Sequence, residues 1–294
     1  MSNLVLVNKP KGITSFRVVS ILKRKLNIKR IGHTGTLDPM ATGVLPLLTG
    51  RASRLSSLML DSEKGYKATI RLGVTTDTLD ITGEVLSTSE VKVTDSDLLN
   101  AINSFSGVYM QTPPMYSALK KDGVRLYDLA RQGIEIERKA RQVEIKKIEF
   151  IKRINETDFV IDVLCSKGTY IRSLAQDIGE KLGVGATLLE LERTLAAGFK
   201  LDDCTPLESI ENDTVLDYLK SAEEAVKHLN KITVSEKQAT RFLNGGALDI
   251  ARLYNVGNLE NGEKVRVNFG CDFLGIGTVN HEKNQIDIAC IIKE

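Results

Sequence analysis

The sequence predicts an α+β fold, in which helices flank a mixed, largely antiparallel sheet and a small β-barrel follows at the C-terminal end. Strand and helix patterns are intermixed along most of the chain, without the regular β-α alternation of a doubly wound sheet. Residues 265–292, in contrast, contain only short apolar strands punctuated by glycine and asparagine. With 294 residues and 42% hydrophobic content, the chain can form one large or two unequal globular domains.

Apolar periodicity and turn signals predict the elements of the first half of the chain. In order, they are a strand at 4–7, a helix from about Ser15, a strand at 44–48, a short helix at 52–60, a strand at 65–72, a helix capped by Thr94 and Asp97, a turn at Asp122-Gly123 with a short helix after it, and paired strands at 142–152 and 157–165. The strand at 65–72 alternates strictly, which predicts that one face is buried.

The second half contains two predicted helices, an acidic stretch and a domain boundary. A helix begins at Thr169, an acidic segment over 213–225 is predicted to be helical, and a helix at 235–243 ends at a pair of glycines. A boundary near residues 228–233 separates this last helix and the terminal strands from the rest. The predicted domains are therefore residues 1–230 and residues 231–294.

The most informative segment is the loop Gly32-His33-Thr34-Gly35-Thr36-Leu37-Asp38-Pro39-Met40-Ala41-Thr42-Gly43-Val44-Leu45. Pro39 disfavours a helical conformation at Asp38, and the glycines permit backbone conformations or close approaches that side chains forbid. A plain hydroxyl-rich turn, in which Asp38 binds its own backbone, is the structural alternative. The length and constraint of the loop favour a functional site with one carboxylate.

Composition excludes several functional classes. The four cysteines are far apart, without C-x-x-C or histidine spacing, so neither a metal nor a disulfide framework is expected. No apolar run approaches a membrane span, and the N-terminal residues lack a signal-peptide pattern, which predicts a cytoplasmic protein with no membrane association. No P-loop or dinucleotide fingerprint appears, so no cofactor is expected. A monomer is the default, because no unmatched apolar stripe is apparent.

The charge distribution is uneven although the formal net charge is only +2. Residues 138–153 hold seven basic side chains against two acidic ones, and residues 202–224 hold eight acidic side chains against one basic one. Taken alone, each run is better explained as a solvated helix or strand face. The basic run is also a candidate track for nucleic-acid phosphates.

Five ordered segments resemble the motifs of the TruB family, the bacterial tRNA pseudouridine-55 synthases. They are Lys9-Pro10-Lys11-Gly12-Ile13-Thr14-Ser15, the loop around Asp38, Gly65-Tyr66-Lys67-Ala68, Gln111-Thr112-Pro113-Pro114-Met115-Tyr116-Ser117-Ala118, and Lys167-Gly168-Thr169-Tyr170-Ile171-Arg172. The resemblance is strong over the first two-thirds of the chain, and several motifs in order are more specific than one. The C-terminal strands resemble a PUA-type β-barrel, which is either an RNA-binding module or a stabilising domain.

The resemblance implies a role for each of seven residues. Asp38 is the expected catalytic nucleophile or base, paired with Arg172, and Tyr66 and Tyr170 are the expected stacking and proton-transfer residues. The implied substrate-binding residues are His33, which stacks where a nucleotide leaves, Lys9, which contacts RNA backbone or supports the loop, and Leu191, an apolar pocket wall. Where the family usually has paired basic residues after that leucine, this chain has Glu192-Arg193, which weakens the local case for phosphate binding.

The implied function is isomerisation of uridine 55 in the T loop of tRNA to pseudouridine, with the tRNA T stem-loop as the partner. Whether Asp38 attacks C1′, adds to the base or abstracts a sugar proton stays open. One alternative is a non-catalytic RNA-binding or RNA-folding protein on the same scaffold. Another is a hydrolase of small substrates with an aspartate nucleophile, which the missing metal and phosphate motifs disfavour.

Overall fold

The computed structural model describes residues 2–60, 62–121, 123–211, 215–253 and 259–293. In chain order, the strands are β1 (Asn3–Lys9), β2 (Ile31–His33), β3 (Thr42–Thr49), β4 (Lys64–Leu72), β5 (Val74–Thr76), β6 (Val85–Thr88), β7 (Gly107–Gln111), β8 (Lys120–Lys121), β9 (Val124–Arg125), β10 (Arg141–Arg153), β11 (Asp158–Cys165), β12 (Ala186–Ala196), β13 (Phe199–Lys200), β14 (Thr205–Pro206), β15 (Leu219–Ser221), β16 (Asn230–Thr233), β17 (Leu248–Asp249), β18 (Lys264–Phe269), β19 (Asp272–Asn280) and β20 (Gln285–Ile291). The helices are α1 (Ser15–Leu26), α2 (Ser56–Leu60), α3 (Asp95–Asn103), α4 (Leu126–Ala130), α5 (Ile171–Lys181) and α6 (Glu236–Leu243).

A large mixed sheet forms the body of the protein. Its strand order is β14-β1-β3-β12-β4-β11-β10-β7, with β2 beside β3, β13 beside β12 and β15 beside β1. Only the β1–β14 and β12–β3 neighbours are parallel among the described strands of this sheet. The predicted fold class, α+β with a largely antiparallel sheet, is confirmed.

Helices α1, α3 and α5 cover one face of this sheet, because each presents an apolar stripe to it. Their buried residues join those of β4, β10 and β11 in one core cluster, for example Val18, Leu98 and Leu174 with Ala68 and Ile145. Burying such side chains provides the main driving force for folding. The cluster fixes β4 and α5, the two elements that carry the predicted site residues Tyr66 and Arg172.

Local signals place most helix ends and strands where the sequence predicts them. The Thr94 hydroxyl accepts a hydrogen bond from the backbone of Asp97, which completes a capping box at the start of α3. The predicted strands at 4–7, 44–48, 65–72, 142–152 and 157–165 are confirmed as parts of β1, β3, β4, β10 and β11. Asp122 lies outside the described residues, but β8 and β9 pair on either side of it.

Two parts of the sheet differ from the sequence analysis. The predicted helix over 213–225 is wrong over residues 215–225, which form two 3-10 turns around β15, and Asp213 lies outside the described residues. Strand β15 pairs antiparallel with β1, so a tertiary hydrogen-bond partner decides the conformation of this segment. The sequence patterns also do not predict β12, which lies between β3 and β4 near the centre of the sheet.

The C-terminal residues form a second, curled sheet, a half-barrel with strand order β16-β18-β19-β20-β17. Phe242 of α6 is buried with the strands of this sheet. The second sheet also shares an apolar cluster with the first, since Ile276 and Ile292 are buried with Leu4 and Leu48. The division into residues 1–230 and 231–294 stays a prediction. Over the described ranges, no helix has the length and apolarity to cross a membrane.

Candidate active site

The loop between β2 and β3 carries Asp38 and is fastened to the N-terminal motif. The Leu37 amide donates to the Ser15 hydroxyl over 2.8 Å, and this hydroxyl donates to the Leu37 carbonyl over 3.1 Å. The Gly12 amide donates to the Pro39 carbonyl over 2.8 Å. Two motifs that are far apart in sequence therefore form one rigid surface around Asp38.

Lys9 supports this loop from inside the protein. Its side chain is fully buried, and its Nζ donates to the carbonyls of Pro10 and Ile13 over 2.8 Å and contacts that of Pro39 at 3.4 Å. Burial lowers the pKa of Lys9 to about 8, whereas the charge of Asp38 acts in the opposite direction. Of the two roles considered for Lys9, the geometry favours support of the loop over contact with RNA backbone.

Arg172 contacts both carboxylate oxygens of Asp38. Its Nε lies 2.9 Å from Oδ2, and its Nη2 donates to Oδ1 over 3.2 Å. The planar guanidinium matches a carboxylate in this geometry and remains charged when buried. The Arg172 side chain is 5% exposed and that of Asp38 is 33% exposed, so the carboxylate is open to a ligand on one side.

A second carboxylate and two carbonyls hold Arg172 in place. Its Nη1 donates to the Thr78 carbonyl over 3.0 Å, its Nη2 donates to the Tyr116 carbonyl over 2.8 Å, and Nη1 lies 3.9 Å from Asp80 Oδ2. Asp80 in turn accepts hydrogen bonds from the Thr82 amide and the Thr78 hydroxyl. Asp80 is a site residue beyond those predicted from the sequence, although the hydroxyl-rich run over 75–82 was an available signal.

Opposing influences act on the carboxyl group of Asp38. Burial raises its pKa above the ordinary aspartate value, the Arg172 guanidinium lowers it, and the charge of Asp80 raises it again. The balance is a raised pKa. The Arg172 guanidinium therefore favours the ionised form of Asp38, against burial and the charge of Asp80.

Tyr66 and Leu191 line the same region from neighbouring strands. Tyr66 of β4 is buried, and burial raises the pKa of its hydroxyl to about 12, so the phenol keeps its proton at neutral pH. The charge of Asp38 contributes to this rise in the pKa of Tyr66. Leu191 of β12 pairs with Ala68 of β4 and is buried in the cluster that contains Tyr66.

Tyr170 is the N-cap residue of α5, two positions before Arg172, and is held on two sides. The Gln111 side chain accepts from the Tyr170 amide over 2.8 Å and donates to its carbonyl over 3.0 Å. The guanidinium carbon of Arg141 lies 4.8 Å from the centroid of the Tyr170 ring, which is a cation-π contact. Gln111 belongs to one of the five motifs that resemble the TruB family. The contacts that Gln111 and Arg141 make with Tyr170 were not predicted from the sequence.

His33 lies at the end of β2, at the edge of the loop. The Gly35 amide donates to its Nδ1 over 3.4 Å, and burial lowers the pKa of the half-buried imidazole below its ordinary value. The ring is therefore neutral at neutral pH.

Four of the seven basic side chains in the run over 138–153, including Arg138, form ion pairs with carboxylates. Lys146 pairs with Glu63, Lys147 Nζ lies 2.9 Å from Glu149, and Arg153 Nε lies 2.7 Å from Asp95. Exposed ion pairs of this kind contribute little stability, but they reduce the free positive charge. The run therefore offers a weaker phosphate track than its composition indicates.

Family models account for most of the chain. Residues 23–171 match the model described as TruB family pseudouridylate synthase (N terminal domain), and residues 172–232 match the model described as tRNA pseudouridylate synthase B C-terminal domain. The chain belongs to the TruB family of pseudouridylate synthases. The family predicted from the sequence is confirmed, and with it the isomerase class.

Individual TruB relatives are similar over nearly their whole length. The chain is 45% identical to tRNA pseudouridine synthase B of Clostridium perfringens (strain ATCC 13124) over 256 residues, which are 87% of either protein. It is 43% identical to tRNA pseudouridine synthase B of Alkaliphilus oremlandii over 283 residues, 96% of this chain and 94% of the relative.

Solved structures share the TruB-family fold. One, titled as an H/ACA RNP bound to a substrate RNA containing 2'-deoxyuridine, aligns with a TM-score of 0.75 at 23% identity over 99% of this chain and 85% of that one. Another, a Cbf5-Nop10-Gar1 complex, gives a TM-score of 0.74 at 26% identity, covering 99% of this chain and 84% of its counterpart. The first likeness concerns the fold alone.

Proposed function

We propose that this TruB-family protein converts uridine 55 in the T loop of tRNA into pseudouridine, with Asp38 as the catalytic carboxylate. The observation that carries the proposal is the two-point contact between Asp38 and Arg172, on a loop that leaves the carboxylate open on one side. The relatives named tRNA pseudouridine synthase B support tRNA as the substrate.

In the proposed reaction, the bond from C1′ to N1 breaks, the uracil turns, a bond from C1′ to C5 forms and the proton leaves C5. The nitrogen released from C1′ ends with a proton, so the product is an isomer of the substrate and no cofactor is needed. A carboxylate can attack or stabilise an electron-deficient sugar carbon and then leave again. Asp38 takes this role or that of a base, and Arg172 keeps it ionised.

The aromatic residues and His33 act on the flipped nucleotide and on the space that it leaves. Uridine in a folded loop must leave the stack before any side chain can reach its glycosidic bond. The neutral phenol of Tyr66 provides a surface for the extruded base, and Tyr170 assists proton transfer near C5. His33, neutral and at the loop edge, fills the space that the nucleotide leaves.

The remaining assignments complete this proposal. Leu191 forms an apolar wall beside Tyr66, and Lys9 supports the loop that holds Asp38. The protein recognises the shape of the T stem-loop and acts as a monomer in the cytoplasm, where tRNA is found.

The test is release of tritium from uridine labelled at C5 in a T stem-loop RNA. We expect the native protein to release tritium and to form pseudouridine at the position that corresponds to uridine 55. Asp38→Asn keeps the shape of the side chain but removes the carboxylate, so it should lose turnover while it still binds the RNA in a filter assay. Asp162→Asn, a half-buried residue of β11, is the matched control with unchanged turnover.

Three results would contradict the proposal. Tritium release at background level from the native protein would reject the reaction, and release from a different uridine would reject the assigned position. Full turnover by Asp38→Asn would reject the catalytic role of the carboxylate.

A further inference from the structure

Arg193 of β12 is a buried guanidinium beside the active-site loop. Its side chain is 1% exposed. Its Nε donates to the Val44 carbonyl over 2.8 Å, Nη2 donates to the Gly35 carbonyl over 3.2 Å and Nη1 donates to the Thr36 carbonyl over 3.4 Å. Gly35 and Thr36 precede Asp38, and Val44 follows it. One side chain therefore contacts the loop on both sides of the carboxylate.

The backbone of Arg193 fastens the loop a second time. Arg193 pairs with Gly43 in the parallel β12–β3 ladder. Gly43 has φ of +104°, and a Cβ at this position would lie 2.3 Å from the Arg193 carbonyl oxygen. The close approach therefore requires glycine. Side chain and backbone of the same residue thus hold the two ends of the segment 35–43, with Asp38 between them.

Packing alone does not account for a guanidinium at this position. The described partners of the Arg193 side chain are neutral carbonyls and the hydroxyl of Tyr66. Burial of a cation without a charged partner is costly, and an apolar side chain would fill the same volume without that cost. Unlike an apolar side chain, the planar guanidinium of arginine can donate to several carbonyls at the same time.

We propose that Arg193 is a positioning residue that fixes the separation of the two loop ends and thereby sets the place of Asp38 against Arg172. The inference rests on the proposed function, because it concerns the same loop. It also explains why an acidic residue can precede Arg193 in the sequence. Residue 192 pairs with Thr42 at the start of β3 through its backbone, so the acidic side chain there leaves the contacts of Arg193 intact.

The Arg193→Lys variant tests whether the positive charge or the hydrogen-bond geometry of residue 193 is required. Lysine keeps the positive charge, but one ammonium cannot reproduce the contacts of the fork with carbonyls on both sides of Asp38. Arg266→Lys is the matched control, because Arg266 also donates from Nε to a backbone carbonyl, that of Leu229, and lies in the second sheet. Both variants are assayed in single-turnover experiments with saturating protein, so that weakened RNA binding does not affect the rate.

We expect Arg193→Lys to lower the single-turnover rate by about 100-fold, since a small misplacement of a catalytic group has an effect of this order. Its Kd for the stem-loop RNA should be unchanged, and Arg266→Lys should retain the native rate. A native rate in folded Arg193→Lys would overturn the inference, as would a loss confined to RNA affinity. A native protein without activity would instead reject the proposed function.

A rescue experiment covers the case in which Arg193→Lys does not fold. Arg193→Ala is assayed with and without methylguanidinium, and folding is followed by near-UV circular dichroism. A rate that returns with the added guanidinium supports the positioning role. Folded Arg193→Ala that keeps the native rate, or that shows no recovery with the added guanidinium, overturns it.

Discussion

At the scale of single residues, the pKa of Asp38 depends on a balance between burial and a fixed cation. Burial and the charge of Asp80 raise the pKa of this carboxyl, and Arg172 lowers it. Arginine suits the task because a guanidinium is a permanent cation whose planar fork matches a carboxylate. Two carboxylates thus lie beside the same guanidinium. That of Asp38 is partly exposed, and that of Asp80 is buried.

Arg172→Met should move the acid limb of the pH-rate profile to higher pH. Without the guanidinium, the pKa of Asp38 rises further, so a smaller fraction is ionised at any pH below the new pKa. Each additional pKa unit lowers the rate by about tenfold in that range. The measurement is kcat/KM for the T stem-loop RNA as a function of pH.

Asp80→Asn should shift the acid limb of the pH-rate profile in the opposite direction. Removal of this charge lowers the pKa of Asp38, so the acid limb should move to lower pH even where the overall rate falls. Acid limbs that shift in the same direction in both variants would reject this electrostatic account.

At the scale of elements, the site is assembled from segments whose local signals are clear. Tyr170 occupies the N-cap position of α5, and Arg172 lies in the first turn of this helix, whose residues Leu174 and Ile178 are buried in the core. The alternating strand β4 carries Tyr66 on its buried face for the same reason of periodicity. Helices and strands of this kind are predictable because their patterns lie within a few consecutive residues.

Thr94→Ala tests the capping box of α3, an element remote from the loop in sequence and function. The substitution removes the hydroxyl that accepts from the Asp97 amide, so the free energy of unfolding should fall by about 1 kcal/mol. Turnover should be unchanged. Urea denaturation measures the stability, with Thr88→Ala on the exposed strand β6 as the control. Equal stability of the two variants would show that the cap contributes nothing.

At the scale of the whole molecule, ion pairs link strands of the large sheet. Arg71 of β4 donates to both carboxylate oxygens of Asp158 of β11, over 2.8 and 2.7 Å. These hydrogen bonds from Arg71 lower the pKa of Asp158, whose side chain is 5% exposed, to about 2. The pair joins two neighbouring strands whose other face is buried by the helices.

Asp158→Asn should therefore destabilise the protein in a pH-dependent way. Because the pKa is lower in the folded than in the unfolded protein, the ionised form stabilises the fold by about 2 kcal/mol at neutral pH. This contribution is complete above about pH 4 and is lost as the pH falls towards 2. Urea denaturation over a pH series should show native and variant stabilities converging on acidification. A constant difference across that range would contradict the assignment.

The sequence by itself determined the elements with local signals, the family and the identity of the central carboxylate. The loop around Asp38 stands out because proline and glycine restrict or release specific backbone angles, and these effects need no tertiary information. The partnership of Asp38 with Arg172 followed from the family resemblance, and the structure places the two side chains in contact.

Only the tertiary structure decided which charged groups are buried together. Strands β12 and β15 and the contacts of Arg193 depend on partners that are distant in sequence, and none of them has a distinctive local pattern. The contact between Asp80 and Arg172 likewise joins residues far apart in the chain. A charged side chain looks exposed in sequence, because burial becomes acceptable only when the fold supplies hydrogen-bond partners. The sheet brings carbonyls of the loop to Arg193 and a carboxylate to each side of Arg172, and this long-range arrangement is what turns a constrained loop into a site.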